Sequence, residues 1–353
     1  MFSNLHIFLG ATVADAAARP LHWVYDPLKL KSYIRNKKDV AFLTQNKCPF
    51  YNVKTGQVSG YNDVGQVMYQ TLITSKKNDD IIKNFKKNII SHFGPGSLYW
   101  KNLTARKKYK KIKWTRPING PWIHQNVLET IRNIKLNKNF TGGKKVNESD
   151  GFCAALPYFL YDQNLSKVKK IIRTIANTKA SEQFAIAKFE IIKNALLGIN
   201  DPIKNFYKSN KQNKYFKDVI LNLKKVLKDK EKPHIEIVKK YGKACSYPGT
   251  FNGSIHAILN SKNYKSAIIK VIKAGGCNCS RANFVGAYFA ALKGKNNIPT
   301  KWIKKTIPAK QILKKNCLDA KIIHCLYFKN FNSYFLCKFS NPVSGYNRYS
   351  FDG

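Results

Sequence analysis

Apolar side chains recur every three or four residues through most of this chain, a period typical of helices with one buried face. The period predicts helices over residues 4–18, 62–72, 79–92, 122–134, 148–161, 165–177, 182–197, 215–227 and 234–241. Further helices are expected to begin at Asp201-Pro202 and at Pro299. Because no alternating run long enough for a strand intervenes, the pattern predicts an all-α fold.

Two of the predicted helices carry a stripe of small residues at helical spacing. The stripes consist of Gly10, Ala14 and Ala18 near the start of the chain, and of Ala282, Gly286 and Ala290 near its end. Since residues four apart lie on one face of a helix, two such stripes allow two helices to pack unusually closely. We therefore expect the two helices to pair, which would bring Asp15 to the loop formed by residues 275–280.

That loop begins with Gly275-Gly276, which permits backbone conformations that a side chain would block. Asn278 or Ser280 can then cap the helix that follows. A helix N-terminus presents backbone N–H groups, so the loop is a candidate site for an anion or for the edge of a metal centre. Glycine pairs before helices are common, however, and the spacing alone does not assign a function.

Five ordered blocks carry a resemblance to a known family. They are residues 10–26, 59–72, 242–255 and 275–281, followed by Ile298-Pro299 and Trp302. They resemble the ADP-ribosylglycohydrolase superfamily, in particular its branch of J-type lens crystallins and selenoprotein J. The resemblance implies a single large orthogonal bundle of helices over residues 1–306. Residues 316–353 match nothing in the family, and residues 307–353 are interpreted as a divergent C-terminal extension or a poorly ordered tail.

The resemblance also implies a metal centre. Members that cleave ADP-ribosyl bonds hold two Mg²⁺ ions with an early Thr-Asp-Asp run and a late Asp-x-Asp-Ser/Thr run. The early run corresponds here to residues 61–63 and the late run to residues 277–280, so that only Asp63 and Ser280 match. Mg²⁺ requires hard oxygen ligands, whereas the thiols of Cys277 and Cys279 are soft. The degenerate ligands therefore argue against the Mg²⁺ that the family implies.

If the chain is a hydrolase of an N- or O-glycosidic ADP-ribosyl bond, Asp63 and Asp15 are the expected catalytic residues. The residues expected to bind an ADP-ribose-like molecule or an ADP-ribosylated substrate are Asp150, Gly275, Gly276, Asn278, Arg281 and His22. The alternative is a non-catalytic, crystallin-like member with a structural or nucleotide-binding role. Cys277 and Cys279 also admit redox chemistry, a softer metal such as Zn²⁺, or simple burial as inert thiols.

The chain of 353 residues has a formal net charge of +44, and 55 of its 63 basic residues are Lys. Specific readers of nucleic acid usually concentrate Arg on one patch, so we predict no specific nucleic-acid partner, although residues 106–114 interleave basic and aromatic side chains. Eight sparse cysteines indicate reduced thiols. Because Asp15 interrupts the apolar start and no long uncharged apolar stretch follows, we expect neither a signal peptide nor a membrane span, and a cytoplasmic protein.

Overall fold

A computed structural model describes residues 4–37, 39–108 and 116–314. Its first half contains eight helices among the described residues: α1 (Leu5–Ala18), α2 (Pro27–Ile34), α3 (Gly60–Thr74), α4 (Ile81–Phe93), α5 (Leu98–Lys108), α6 (Gln125–Lys135), α7 (Asp150–Tyr161) and α8 (Leu165–Ile175). Two strands of two residues each, β1 (Tyr51–Asn52) and β2 (Ile118–Asn119), pair in parallel.

The second half continues the helical pattern with α9 (Lys179–Leu196), α10 (Pro202–Asn210), α11 (Lys217–Lys228), α12 (His234–Tyr241), α13 (Gly249–Leu259), α14 (Tyr264–Lys273), α15 (Asn278–Lys293) and α16 (Thr300–Lys305). Short 3₁₀ turns occur at Arg19–Leu21, Lys214–Phe216 and Lys295–Asn297. The prediction of an all-α fold is confirmed.

Four helices were not predicted: α5, which runs into the basic cluster of residues 106–114, and α2, α13 and α14. Helix α2 is short and buries mainly Leu30, and its start depends on Asp26, which accepts hydrogen bonds from two backbone N–H groups. Helix α13 is buried on every side from Gly249 to Ile258, so it has no polar face that would produce a period. Helix α14 does have a regular apolar face, so its period is a usable signal for a helix.

Helices α1 and α15 form the centre of the bundle and cross at the two stripes of small residues. A Cβ atom added to Gly10 would lie 2.6 Å from both Ala290 Cβ and the Gly286 carbonyl oxygen, and one added to Gly286 would lie 2.4 Å from the Gly10 carbonyl. Backbones can approach this closely only where side chains are absent. The prediction that these two helices pair is confirmed, and α7, α9, α13 and α14 pack around them.

Grouping residues by their internal contacts gives one unit of residues 1–312 and a second of residues 313–353. Residues 307–312 belong to the first unit, where Ile307 N–H donates to the Gly56 carbonyl at 2.9 Å and Ala309 and Ile312 are fully buried. The predicted domain boundary at residue 306 stays a prediction. Most of the predicted extension, residues 315–353, and residues 109–114 of the basic cluster lie outside the described residues. Within the described part, every helix is too short or too polar to cross a membrane.

Candidate functional site

Four segments from distant parts of the chain meet beside the N-terminus of α15. Trp23 N–H donates to the Gly276 carbonyl at 2.9 Å, and Gly276 N–H donates to the Val24 carbonyl at 2.7 Å. Cys277 N–H donates to the Lys243 carbonyl at 2.8 Å. Gly276 has a φ of +64°, and a Cβ atom there would lie 2.4 Å from the Lys243 oxygen, so this crossing requires glycine.

The first residue of α7 is Asp150, which is fully buried and paired with an imidazole. His124 Nδ1 lies 2.7 Å from Asp150 Oδ1, and Asn126 Nδ2 donates to Asp150 Oδ2 at 3.0 Å. Burial lowers the pKa of His124, but the facing Asp150 carboxylate outweighs burial, so the net pKa is raised. Gly60 leaves room for the ring, because a Cβ atom there would lie 2.8 Å from His124 Nε2.

Glu148 is the second carboxyl group of this cluster, and Tyr61 Oη donates to its Oε2 at 3.0 Å. Burial, reinforced by the charge of Asp150, raises the pKa of Glu148 to about 8. Ligand atoms of His124, Glu148 and Asp150 lie within 4.8 Å of one another, so this trio could hold a metal ion.

The thiols of Cys277 and Cys245 each contact aromatic side chains of this cluster. Cys277 Sγ lies 3.5 Å from His22 Nε2 and 3.6 Å from Tyr61 Oη, while Trp23 Nε1 donates to Cys245 Sγ at 3.2 Å. Burial opposes ionisation of Cys277, but the hydrogen bonds from Cys245 and His22 prevail and hold its pKa well below the ordinary value. The hydrogen bond to Cys277, with burial, raises the pKa of Cys245.

Aromatic rings border the cluster on its less buried side. Trp23 adopts a left-handed backbone conformation with φ of 61° and packs edge-on against Phe50 and Trp122, with ring centroids 5.3 and 6.0 Å away. Phe50 and Trp122 are only partly buried, as are Cys245 and Glu148. The cluster is therefore reached from solvent beside aromatic faces, which suit the stacking of a base or a sugar.

A buried lysine lies behind the segment that carries the two carboxyl groups. Lys188 Nζ donates to Ser149 Oγ and to Tyr247 Oη, each at 3.0 Å, and faces the rings of Phe152 and Phe284. Burial lowers its pKa to about 7. Ser149 lies between Glu148 and Asp150, so Lys188 fixes the position of the segment between the two carboxyl groups.

The sequence-predicted catalytic residues lie elsewhere. Asp15 is fully buried and accepts hydrogen bonds from Ser59 N–H, Ser59 Oγ and Asn283 Nδ2 at 2.6–2.7 Å, while burial raises its pKa to about 6. Asp63 accepts a hydrogen bond from Tyr99 Oη at 2.6 Å, contacts His92 Nε2 at 2.9 Å, and borders a cavity of about 620 Å³. Their catalytic roles stay predictions.

The remaining predicted ligand groups are engaged within the protein. The N–H groups of Gly275 and Gly276 donate to backbone carbonyls, and Asn278 Nδ2 donates to the Ala18 carbonyl at 3.1 Å. Arg281 Nη2 donates to the Gly275 carbonyl. Of the predicted binding residues, Asp150 and His22 lie in the cluster. Binding of an anion by the N–H groups of Gly275 and Gly276 would require these hydrogen bonds to open.

The side chains at the family's metal positions do not fit Mg²⁺. Cys279 Sγ donates to the Asp15 backbone carbonyl at 3.7 Å, and Ser280 Oγ donates to the Cys277 carbonyl at 2.9 Å. Asp63, the one matching carboxylate, is held by His92 and Tyr99. Two soft thiols and an engaged hydroxyl cannot supply the octahedral oxygen ligands that Mg²⁺ needs.

Sequence reasoning missed four residues of the cluster: His124, Glu148, Lys188 and Cys245. One usable signal was present for Lys188, which interrupts the apolar run Phe184-Ala-Ile-Ala-Lys-Phe189 within a predicted helix. A charged residue at a position with an apolar period indicates a buried partner. The other three follow or precede helices, and only the folded chain brings them together.

Comparisons with known proteins agree with this architecture. Crystallin J1A of Tripedalia cystophora is 28% identical over 319 residues, covering 86% of this chain and 92% of that protein. Crystallin J1B of the same organism is 27% identical over 311 residues with the same coverages. A solved structure titled ADP-ribosylglycohydrolase-related protein complex covers 88% of this chain and 93% of its own, with a TM-score of 0.57 and 14% identity, which shows a shared fold.

The model of the ADP-ribosylglycohydrolase family matches residues 5–324. This match spans nearly all of the helical body and extends past the end of the described residues. The resemblance inferred from five short blocks is thereby confirmed, as is the orthogonal bundle that it implied. The chain belongs to the ADP-ribosylglycohydrolase family.

Proposed function

We propose that this protein binds an ADP-ribosyl compound beside Trp23 and Trp122 and hydrolyses its glycosidic bond with the carboxyl groups of Glu148 and Asp150. The observation that carries the proposal is the close approach of these two carboxyl groups. One oxygen atom of each and one ring nitrogen of His124 all lie within 4.8 Å of one another. Two carboxyl groups in different environments are the usual equipment for glycoside hydrolysis. Family membership directs the proposal to an ADP-ribosyl substrate.

The two carboxyl groups have distinct environments that favour distinct roles. Glu148, whose pKa is raised to about 8, carries a proton at neutral pH and can donate it to the leaving atom as the glycosidic bond breaks. Asp150 accepts hydrogen bonds from His124 and Asn126, and its carboxylate can stabilise positive charge at the anomeric carbon. Water then adds to that carbon, and its proton returns to Glu148. The products are free ADP-ribose and the protonated leaving group.

A dinuclear Mg²⁺ centre has no part in this proposal, because the donors at the family positions do not fit Mg²⁺. Arrangement of the reacting groups rests instead on Tyr61, which donates to Glu148, and on Lys188, which fixes Ser149. The expected behaviour is therefore binding and turnover that do not depend on Mg²⁺.

Calorimetric titration with ADP-ribose, in Mg²⁺ and in EDTA, tests the binding step. Release of ADP-ribose from ADP-ribosyl-arginine and from 1″-O-acetyl-ADP-ribose, whose acetyl group is on the anomeric carbon's oxygen, then tests the N- and O-glycosidic reactions. We expect binding in both buffers, and turnover that Glu148→Gln lowers by about 10²-fold or more, as for loss of a general acid. Glu236→Gln, a change at an exposed carboxylate of α12, is the matched control. Absence of heat in both buffers, or turnover only with Mg²⁺, would overturn the proposal.

A second candidate is a non-catalytic protein that binds the same ligand, as the alternative from the sequence states. Two observations favour it. The two relatives named above are crystallins, and the side chains of Cys279 and Ser280 at the family's metal positions donate to backbone carbonyls within the core. Binding of ADP-ribose with equal heat in Mg²⁺ and EDTA, together with no release of ADP-ribose from either substrate, would select this candidate.

A further inference from the structure

We propose that His124, Glu148 and Asp150 form a binding site for Zn²⁺, and that the bound ion blocks hydrolysis by the two carboxyl groups. One oxygen atom of each carboxyl group and one ring nitrogen of His124 all lie within 4.8 Å of one another. In the described part of the chain, no other three His, Cys, Asp or Glu side chains offer ligand atoms this close together. The binding step stands by itself, whereas the blocking step rests on the proposed function.

The three ligand atoms suit Zn²⁺ better than Mg²⁺. Imidazole nitrogen is a good ligand for Zn²⁺, whereas Mg²⁺ requires oxygen ligands in an octahedron. Zn²⁺ is commonly held by three protein ligands, with a water molecule in the fourth position. The trio supplies one nitrogen and two oxygen atoms, so it provides a donor set of this kind.

Polar neighbours hold both carboxyl groups in place, as is usual for metal ligands. Asn126 Nδ2 donates to Asp150 Oδ2 at 3.0 Å, which is the oxygen that does not face His124. Tyr61 Oη donates to Glu148 Oε2 at 3.0 Å. Each of these hydrogen bonds fixes a carboxyl group through one oxygen atom, and the other oxygen atom of that group is available to a metal ion.

The charge of the site points independently to a cation. Among the ion pairs that join described residues, Asp150 contacts only the imidazole of His124, and Glu148 takes part in none. Lys188 lies behind the same segment but donates to Ser149 and to a tyrosine instead. Buried charges are normally paired or coordinate a metal ion. In a chain with a net charge of +44, two neighbouring carboxyl groups without a Lys or Arg partner are suited to a divalent cation.

The cysteines of the Cys-x-Cys sequence do not form a competing centre. Cys277 Sγ lies 3.5 Å from His22 Nε2. Cys279 Sγ donates to the Asp15 backbone carbonyl at 3.7 Å. The two thiols thus engage different partners, and no three-ligand group of the described residues includes either of them. The zinc site that the sequence spacing admitted at these cysteines is assigned instead to the carboxyl groups.

A bound ion would prevent the proposed reaction. Zn²⁺ can enter from the aromatic border, where Glu148, Phe50 and Trp122 are partly exposed. Because the ion occupies an oxygen atom of Glu148, it excludes the proton that this residue donates to the leaving atom. It also neutralises the Asp150 carboxylate, which then no longer stabilises positive charge at the anomeric carbon. Zn²⁺ therefore acts as an inhibitor.

Titration of the full-length, reduced and EDTA-dialysed protein with zinc chloride, followed by calorimetry, tests the binding step. We expect Zn²⁺ to bind in the presence of a large excess of Mg²⁺. Glu148→Gln should weaken binding by about tenfold or more, at least the loss that follows removal of an outer partner of a metal ligand. Asp150→Asn is a second variant with the same expected loss. Glu236→Gln, at an exposed carboxylate of α12, is the matched control and should bind as the wild type does.

Co²⁺ in place of Zn²⁺ identifies the ligands. Thiolate ligands give an intense charge-transfer band in the near ultraviolet, which nitrogen and oxygen ligands lack. The difference spectrum between wild type and Glu148→Gln isolates this site from any other, and we expect it to contain visible bands without the charge-transfer band. Thermal unfolding verifies that each variant is folded. Equal affinity of wild type and both folded variants, or a charge-transfer band in the difference spectrum, would overturn the site.

Release of ADP-ribose from ADP-ribosyl-arginine, in Zn²⁺ and in EDTA, tests the blocking step. We expect saturating Zn²⁺ to lower turnover by about 10²-fold or more, as for loss of the general acid, and EDTA to restore it. Undiminished turnover at saturating Zn²⁺ would overturn the inhibitory role alone. Absence of turnover in every buffer would overturn the hydrolase and with it the inhibitory role, and the Co²⁺ difference spectrum would then decide the metal site separately.

Discussion

Replacement of Lys188 by Met should stabilise the protein near neutral pH, although it removes two hydrogen bonds. Lys188 is fully buried, and burial lowers its pKa from 10.5 to about 7. Above about pH 7, Lys188 is therefore neutral in the folded chain but still protonated in the unfolded chain. Met fills a similar volume without this penalty. Ser149 Oγ and Tyr247 Oη remain hydrogen-bonded to each other at 3.1 Å in its absence.

The magnitude follows from the two pKa values. The interval between about 7 and 10.5 corresponds to about 5 kcal/mol, at about 1.4 kcal/mol for each pH unit. Loss of the two hydrogen bonds of Lys188 lowers this gain in stability by about 2 kcal/mol, and loss of its contacts with aromatic rings lowers it by about 1 kcal/mol more. We therefore expect Lys188→Met to raise the free energy of unfolding by about 2 kcal/mol at pH 7.

The sign of the pH dependence is the decisive feature. Since the unfolded chain binds more protons than the folded chain between pH 7 and pH 10.5, the wild-type protein gains stability from this lysine as pH rises. The advantage of Lys188→Met should accordingly shrink by about 2 kcal/mol between pH 7 and pH 9. Other titrating groups are common to both proteins and cancel in the difference.

Urea unfolding of wild type and Lys188→Met at pH 6, 7, 8 and 9 measures this difference. Lys193→Met, in the same helix at a position that is partly exposed, is the control and should show no comparable pH dependence. A loss of stability in Lys188→Met that is equal at every pH would refute the reasoning. It would mean that the lysine remains charged in the folded protein and that its contacts fully compensate for burial.

Three other outcomes are expected. Gly286→Ala should lower the free energy of unfolding by about 2 kcal/mol or more, because its Cβ atom would lie 2.4 Å from the Gly10 oxygen. Gly198 has a φ of +68° and open space around it, so Gly198→Ala should lower the free energy of unfolding by only about 1 kcal/mol. Urea unfolding of both variants measures the difference. The rate of ADP-ribose release should fall as pH rises through about 8, where Glu148 loses its proton, and a pH-rate profile without that limb would contradict its role as the acid. Trp122→Ala should weaken ADP-ribose binding by about tenfold in calorimetry, and unchanged affinity would exclude stacking at this ring.

The fold was largely predictable because its signals are local or repetitive. Apolar periods located most helices, and the stripes at Gly10 and Gly286 identified the central pair across more than 270 residues. Close packing of backbones needs small side chains, so this long-range contact requires a recognisable stripe of small residues in the sequence of each helix. Helix α13 has no recognisable apolar period in its sequence, because a helix buried on every side has no polar face.

The site was predictable only in part, for a physical reason. Asp150 and Cys277 were found from a resemblance, but the residues that give them their character, His124 and Cys245, lie more than 25 residues away from them in sequence. A pKa depends on the groups that surround a side chain in space, and no local pattern encodes that set. Asp63 shows the converse, since it matches the family run yet is held by His92 and Tyr99.

The number of ionisable groups in the centre of this bundle is itself an argument about function. Asp15, Asp150, Lys188 and Arg281 are all fully buried, and Arg281 retains unpartnered nitrogen atoms in the described part of the molecule. Buried ionic groups are at best neutral for stability when compared with apolar side chains of the same size. A helical body that needed only to be stable would be better served by Leu and Met at these positions. Asp150 belongs to the cluster beside the partly exposed aromatic border, and Lys188 holds the neighbouring Ser149, so binding or chemistry explains these two charges better than packing does.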